Sequence, residues 1–197
     1  MAQHVTPLAI QLADVKLDSL RTLYNTEPTM YRASLDVVAQ SLAKNAEEIK
    51  AAKAELKVEQ SHAKEMANTL KGAAKTAANL KKLYAKEEAE IKSMQKMIEQ
   101  QQKNLNKKRE LNQETRDSYL LLLESEQKEL GYSLREIAER ARGIADLETA
   151  IQNRNTELQS YVQETAQKGL ELSQLEAELK ARVASVKAEQ KSAKTMQ

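Results

Sequence analysis

The chain has 197 residues, with 31 Lys and Arg against 29 Asp and Glu, no Phe, Trp or Cys, and only four Gly and two Pro. The absence of Cys excludes disulfides, thiolate metal sites and thiol catalysis, and the absence of Phe and Trp argues against a wide globular core. What remains, rich in Ala, Glu, Lys, Leu and Gln and poor in turn formers, is the composition of long helices joined by thin seams.

From Met1 to Leu12 there is no basic segment followed by a long apolar run, and no window approaches ~18 uninterrupted apolar residues. Neither a signal peptide nor a membrane span is expected, so the cytoplasm is the default location and a virion the alternative. Leu8, Leu12, Val15, Leu20 and Leu23 follow Pro7 at helical spacing, with Thr6 placed to cap and Pro7 at the first helical position. The reading is a first helix from Pro7 to Tyr24, packed back on the start of the next element, within an N-terminal region of residues 1–29. Asn25-Thr26-Glu27-Pro28 ends it, because the residue before a proline is pushed out of the helical conformation.

From Leu35 a step of seven reads Leu42, Ile49, Leu56, Ala63, Leu70, Ala77, Tyr84, Ile91, Ile98, Leu105, Asn112 and Tyr119; twelve of these thirteen are apolar, where the 41% composition predicts about five. A second series, Leu123, Leu130, Ile137, Ile144, Ile151, Leu158, Thr165, Leu172, Leu179, Val186 and Ala193, is apolar at ten of eleven. Sustained heptads imply a left-handed supercoil, and the step of four between Tyr119 and Leu123 marks either a stutter or a chain reversal. Asn112, Thr115, Asp117 and Ser118 compete for backbone hydrogen bonds and favour a turn at 112–117. A rival turn lies at Gly131-Tyr132-Ser133, but the second series runs through it unbroken.

A turn at 112–117 leaves a first arm of residues 30–111 and a second of 118–197, each roughly 120 Å long at 1.5 Å per residue. Residues 44–109 carry 16 basic and 9 acidic side chains, and residues 110–179 carry 7 and 15. Opposite charges on paired arms select their pairing. The expected fold is therefore all-α: an elongated antiparallel coiled-coil hairpin with a short N-terminal helix packed near its base. The second stripe of the seam, three residues after each position of the first, includes Asn45, Glu59, Glu87, Gln101 and Lys108. So polar a stripe predicts a marginal hairpin, stabilised by other copies or a partner.

No catalytic constellation emerges. Gly72-Ala73-Ala74-Lys75-Thr76 lacks the first glycine of a phosphate-binding loop, and the only histidines, His4 and His62, are too few for a zinc site. The carboxylate pairs Glu47-Glu48 and Glu87-Glu88 sit in solvated helical pattern. No enzymatic activity, cofactor, metal or small-molecule substrate is expected. Lys71, Lys75, Lys82 and Lys86 follow one helix face, and Lys103, Lys107, Lys108 and Arg109 continue the basic character. Such a stripe suits the acidic arm, water or an anionic membrane; the scarcity of Arg and aromatics there makes nucleic acid the weaker partner. Tyr119-Leu120-Leu121-Leu122-Leu123 places apolar side chains on every side of a helix, more than a seam uses, and is the candidate contact for self-assembly or a protein partner.

The expected function is that of a scaffold: a helical hairpin that self-associates into a homo-oligomer or binds a protein partner. The order of parts also resembles the ESCRT-III and phage-shock-protein-A type, in layout and not in a residue motif. The matching parts are an N-terminal amphipathic stretch (Leu8–Tyr24), a break (Asn25–Pro28), a basic arm (Lys44–Arg109) and an acidic remainder (Glu110–Glu178). That resemblance implies membrane remodelling on anionic lipid. An export-apparatus stalk or virion component is a third reading.

Overall fold

The computed structural model describes residues 5–24, 26–108 and 112–195. These contain helices α1 (Leu17–Tyr24), α2 (Pro28–Lys107) and α3 (Gln113–Thr195), and no strand. The two long helices pack against each other as a helical hairpin preceded by the short N-terminal helix. No helix among the described residues is long and apolar enough to cross a membrane.

The chain divides into two compact units. The first comprises the residues up to Met66 together with those from Glu157 onward. Its core takes Tyr31, Leu35, Leu42, Ile49 and Leu56 from α2 and Leu172, Leu179, Val186 and Ala193 from α3. Lys168 meets Glu59 at 2.9 Å, Lys53 meets Glu176 at 2.6 Å, and the Tyr31 hydroxyl donates to Glu189 at 2.8 Å. Ascending positions on α2 thus meet descending positions on α3, which makes the pair antiparallel. The second unit, Ala67–Thr156, is a two-helix section centred on Ala77, Ile144 and Ile151 and flanked by Ala73, Leu80 and Tyr84. Lys81 and Glu148 join its helices at 2.9 Å.

The heptad positions form the seam. Every member of the second series is buried or half-buried, as is the first series through Leu105. Its last two members, Asn112 and Tyr119, are exposed and lie past the end of α2. The step of four therefore reflects the chain reversal, not a stutter. Of the residues expected in the turn at 112–117, Asn112 precedes α3 and the others lie within it. Asn112 caps α3, its side-chain oxygen accepting from Glu114 N–H at 2.8 Å and its carbonyl from Arg116 N–H at 3.1 Å. Thr115, Asp117 and Ser118 lie inside the first turns of α3, and Ser118 bonds back to the Glu114 carbonyl at 2.9 Å, which lets it sit in a helix. Gly131, Tyr132 and Ser133 are helical.

The first helix is shorter than expected. It begins at Leu17, not Pro7, and residues 5–16 have no regular secondary structure. Leu8, Ile10 and Leu12 are half-buried while Ala9 and Gln11 between them are exposed. That alternation has the period of extended chain, in which successive side chains point to opposite sides.

Candidate functional site

Residues 5–16 form a strap laid against the seam of the first unit. Leu8, Ile10, Leu12, Ala13 and Val15 pack on its core. An extended strap has no helix to satisfy its N–H and C=O groups, so each buried one needs a partner from elsewhere. Asn45 supplies two. Its side-chain nitrogen donates to the Gln11 carbonyl at 3.0 Å, and its side-chain oxygen accepts from Ala13 N–H at 2.8 Å. A second bond from the same nitrogen to Glu48 at 2.9 Å holds the amide in this orientation. Arg182 on α3 donates to the carbonyls of Leu12, at 3.2 Å, and Ala13, and is braced by Glu178 at 2.5 Å. These contacts read main chain while apolar side chains fill the seam, which is how a groove holds an extended peptide.

Glu59 occupies the next polar position of the stripe. Its carboxylate takes two bonds from the Lys168 ammonium, at 2.9 and 3.1 Å, with the Lys168 side chain only 5% exposed. Tyr161 is buried beside this pair, and burial first, then the Glu59 charge, pushes its phenol above the usual tyrosine value. Asn45 and Glu59, read in the sequence as weak points of the seam, thus have dedicated partners.

Glu189 ties α1 down. It accepts from Arg21 Nε at 2.9 Å and from the Tyr31 hydroxyl at 2.8 Å, and Tyr24 meets the Tyr31 ring edge-on at 5.4 Å between centroids. The Arg21 and Tyr31 bonds hold the Glu189 carboxyl below the ordinary carboxylate value of 4.5, while burial and the Glu189 bond push Tyr31 up to about 12. The depressed Glu189 contributes stability that is present above pH 4.5 and lost as pH falls through its lowered folded value. The raised Tyr31 contributes stability that is present below pH 10 and lost as pH rises toward about 12. Glu189→Gln removes the acid-side part. Its melting temperature is expected to lie below that of the unmodified chain at neutral pH, and the two curves to converge as pH falls below 4.5. A gap that stays constant with pH would show that Glu189 ionisation has no part in the clasp.

The structure disperses the residues singled out in the sequence. Of the apolar run, Leu123 is buried and Leu120 half-buried, whereas Tyr119, Leu121 and Leu122 are exposed at 52%, 67% and 56%. Lys71, Lys75, Lys82, Lys86, Lys103, Lys107 and Lys108 are all exposed, and of these only Lys86 forms an ion pair among the described residues, with Glu90 on its own helix at 3.6 Å. The stripe faces water. Lys81, beside it, reaches Glu148 on the acidic helix. Arg109 and His4 lie outside the described residues, and His62 is exposed. Gly72 to Thr76 is helix, with Thr76 bonded to the Gly72 carbonyl at 3.1 Å. The strap clasp of Asn45 and Arg182 was missed by sequence reasoning; the Leu8-Ile10-Leu12 alternation was the available signal.

No protein-family model, curated protein or solved structure matches the chain.

Proposed function

We propose that this chain is a non-enzymatic interaction protein that self-associates through the exposed apolar start of α3. The observation that carries the reading is the exposure of Tyr119, Leu121 and Leu122, all within one turn near the start of α3. In the same unit Met94, Met97 and Tyr132 are also exposed. Large apolar side chains grouped on a surface mark contact sites, because covering them removes apolar area from water. Sedimentation velocity over a concentration series tests it. The chain is expected to form concentration-dependent oligomers, and L121E/L122E, at exposed positions, to sediment as a folded monomer. Oligomers that survive the double substitution would refute the reading.

A second reading, contact with anionic membrane, draws on the water-facing lysines, which are free to meet lipid phosphate. The N-terminal region favours it less. Residues 8–15 turn their apolar side chains toward the core, and α1 is an eight-residue helix anchored to α3 by Glu189. Neither presents a free amphipathic helix to a bilayer.

A further inference from the structure

Asn45 and Arg182, which hold the strap, each stand three positions after a heptad residue, Leu42 and Leu179. In a helix of 3.6 residues per turn the fourth position falls on the opposite side of the seam. Ala46 and Val183 stand there, four after the same two residues, and line a groove of about 820 Å³ between α2 and α3 in the first unit. Neither Asn45 nor Arg182 is part of its wall, so the strap and this groove take opposite sides of one seam.

Ile49 and Leu179 are buried beneath the groove, Val183 is half-buried, and Ala46, Ala54 and Ala184 are exposed in its wall. The rest of the wall is basic. Its one acidic residue, Glu176, is met across the groove by Lys53 at 2.6 Å and approached by Lys180 at 3.6 Å. Because the helices are antiparallel, Lys57 lies about one turn from the Lys53–Glu176 pair toward one end, and Lys187 about three turns from it toward the other. These two lysines are therefore roughly 22 Å apart along the groove, on opposite walls, with the apolar surface between them. Both are exposed, and neither forms an ion pair among the described residues.

This wall selects its occupant. Its polar groups are ammonium donors and one engaged carboxylate, so an extended peptide would find no acceptor for its N–H groups such as Asn45 gives the strap. A helix satisfies its own backbone. A second copy of the same groove would set lysine against lysine. The acidic helix of this chain, α3, already buries its heptad stripe against α2. A flat bilayer would touch the rim lysines without entering the groove.

We propose that the groove docks an acidic amphipathic helix of a different protein, about four turns long. Its apolar stripe packs on Val183 and the wall alanines, whose small side chains let a helix backbone approach closely. A carboxylate near each end, one on either flank, reaches Lys57 and Lys187. Apolar burial supplies the attraction, and the charges set register and choice of partner. The groove belongs to the first unit and the self-association contact to the second, so the two stand or fall separately.

The probe is a fluorescein-labelled synthetic peptide of about 18 residues, long enough as a helix to span the two lysines. It carries Leu every three or four residues, Ala between, and Glu on both flanks near each end. Fluorescence anisotropy with the full chain is expected to show saturable binding that weakens with salt. K57E/K187E alters exposed side chains, so it is expected to keep the helical circular dichroism of the unmodified chain and to bind the peptide about tenfold more weakly. A peptide with Lys in place of each Glu is expected to prefer K57E/K187E to the unmodified chain. L121E/L122E is expected to bind the acidic peptide as the unmodified chain does, whatever its own oligomeric state. Absence of saturable binding overturns the proposal, as does binding that K57E/K187E leaves unchanged. Equal binding of a shuffled peptide, with its leucines scattered round the helix, would reduce the groove to a polyanion contact and overturn it too. So would a K57E/K187E chain that keeps the peptide and loses only pelleting with phosphatidylserine-containing vesicles, which would assign the lysines to lipid.

Discussion

Replacing Glu59 by Leu is expected to destabilise the first unit by about 3–5 kcal/mol, the penalty of stranding a buried charge. Among the described residues Glu59 provides the bonds made by the Lys168 ammonium, and the Lys168 side chain is 5% exposed. Without Glu59 the ammonium must stay unpaired in the seam, shed its proton, or drag its stem outward and break the packing. The reciprocal change, Lys168→Leu, is expected to cost less. Glu59 is 15% exposed, nearer to water, and also accepts from Thr6 N–H at 3.4 Å. The double variant E59L/K168L is expected to recover most of the loss, because two apolar side chains replace the pair without leaving a charge behind. Urea unfolding followed by circular dichroism, with the slope checked for constancy, measures all three. A loss below about 1 kcal/mol for E59L would mean the pair behaves as a solvated surface bridge.

The second large effect is expected at Asn45. Asn45→Leu keeps the size of the side chain but removes both bonds to the strap, leaving the Gln11 carbonyl and the Ala13 N–H without partners at a cost of about 1–3 kcal/mol. The strap lies outside the helices, so the loss is expected locally, as its release from the seam. Hydrogen exchange at Ala13 should accelerate roughly ten- to hundredfold while the α2 and α3 amides stay protected. Asn45→Asp keeps the acceptor for Ala13 N–H and loses the donor to Gln11, so an intermediate effect is expected. Unchanged exchange at Ala13 in the Leu variant would show that the apolar side chains alone hold the strap.

These two residues also mark the line between what was legible in the sequence and what was not. Asn45 and Glu59 stand at seam positions, and from one chain read in isolation a polar residue there is a defect. Their partners, the main chain of residues 11–13 and Lys168, lie 32 or more positions away. Pairing over such separations is a property of the packed structure. The strap failed for a related reason. Leu8, Leu12 and Val15 fit a helix, while Leu8, Ile10 and Leu12 fit extended chain, and so short a segment supports both periods. The seam with its Asn45 and Arg182 donors chose the second. The tip was half legible: five apolar residues in a row exceed what one seam covers, but which of them face outward depends on the register that buries Leu123.

By itself the sequence determined the helical class, the two heptad series and the reversal between them. Two dozen heptad positions repeat one physical instruction, and the scarcity of Gly and Pro leaves little room for another. Only the tertiary structure decided the strap, the buried Glu59–Lys168 pair and the lysine-rimmed groove, because each is made by residues that no local pattern brings together. Burial also changes what a polar side chain costs, and so what it does.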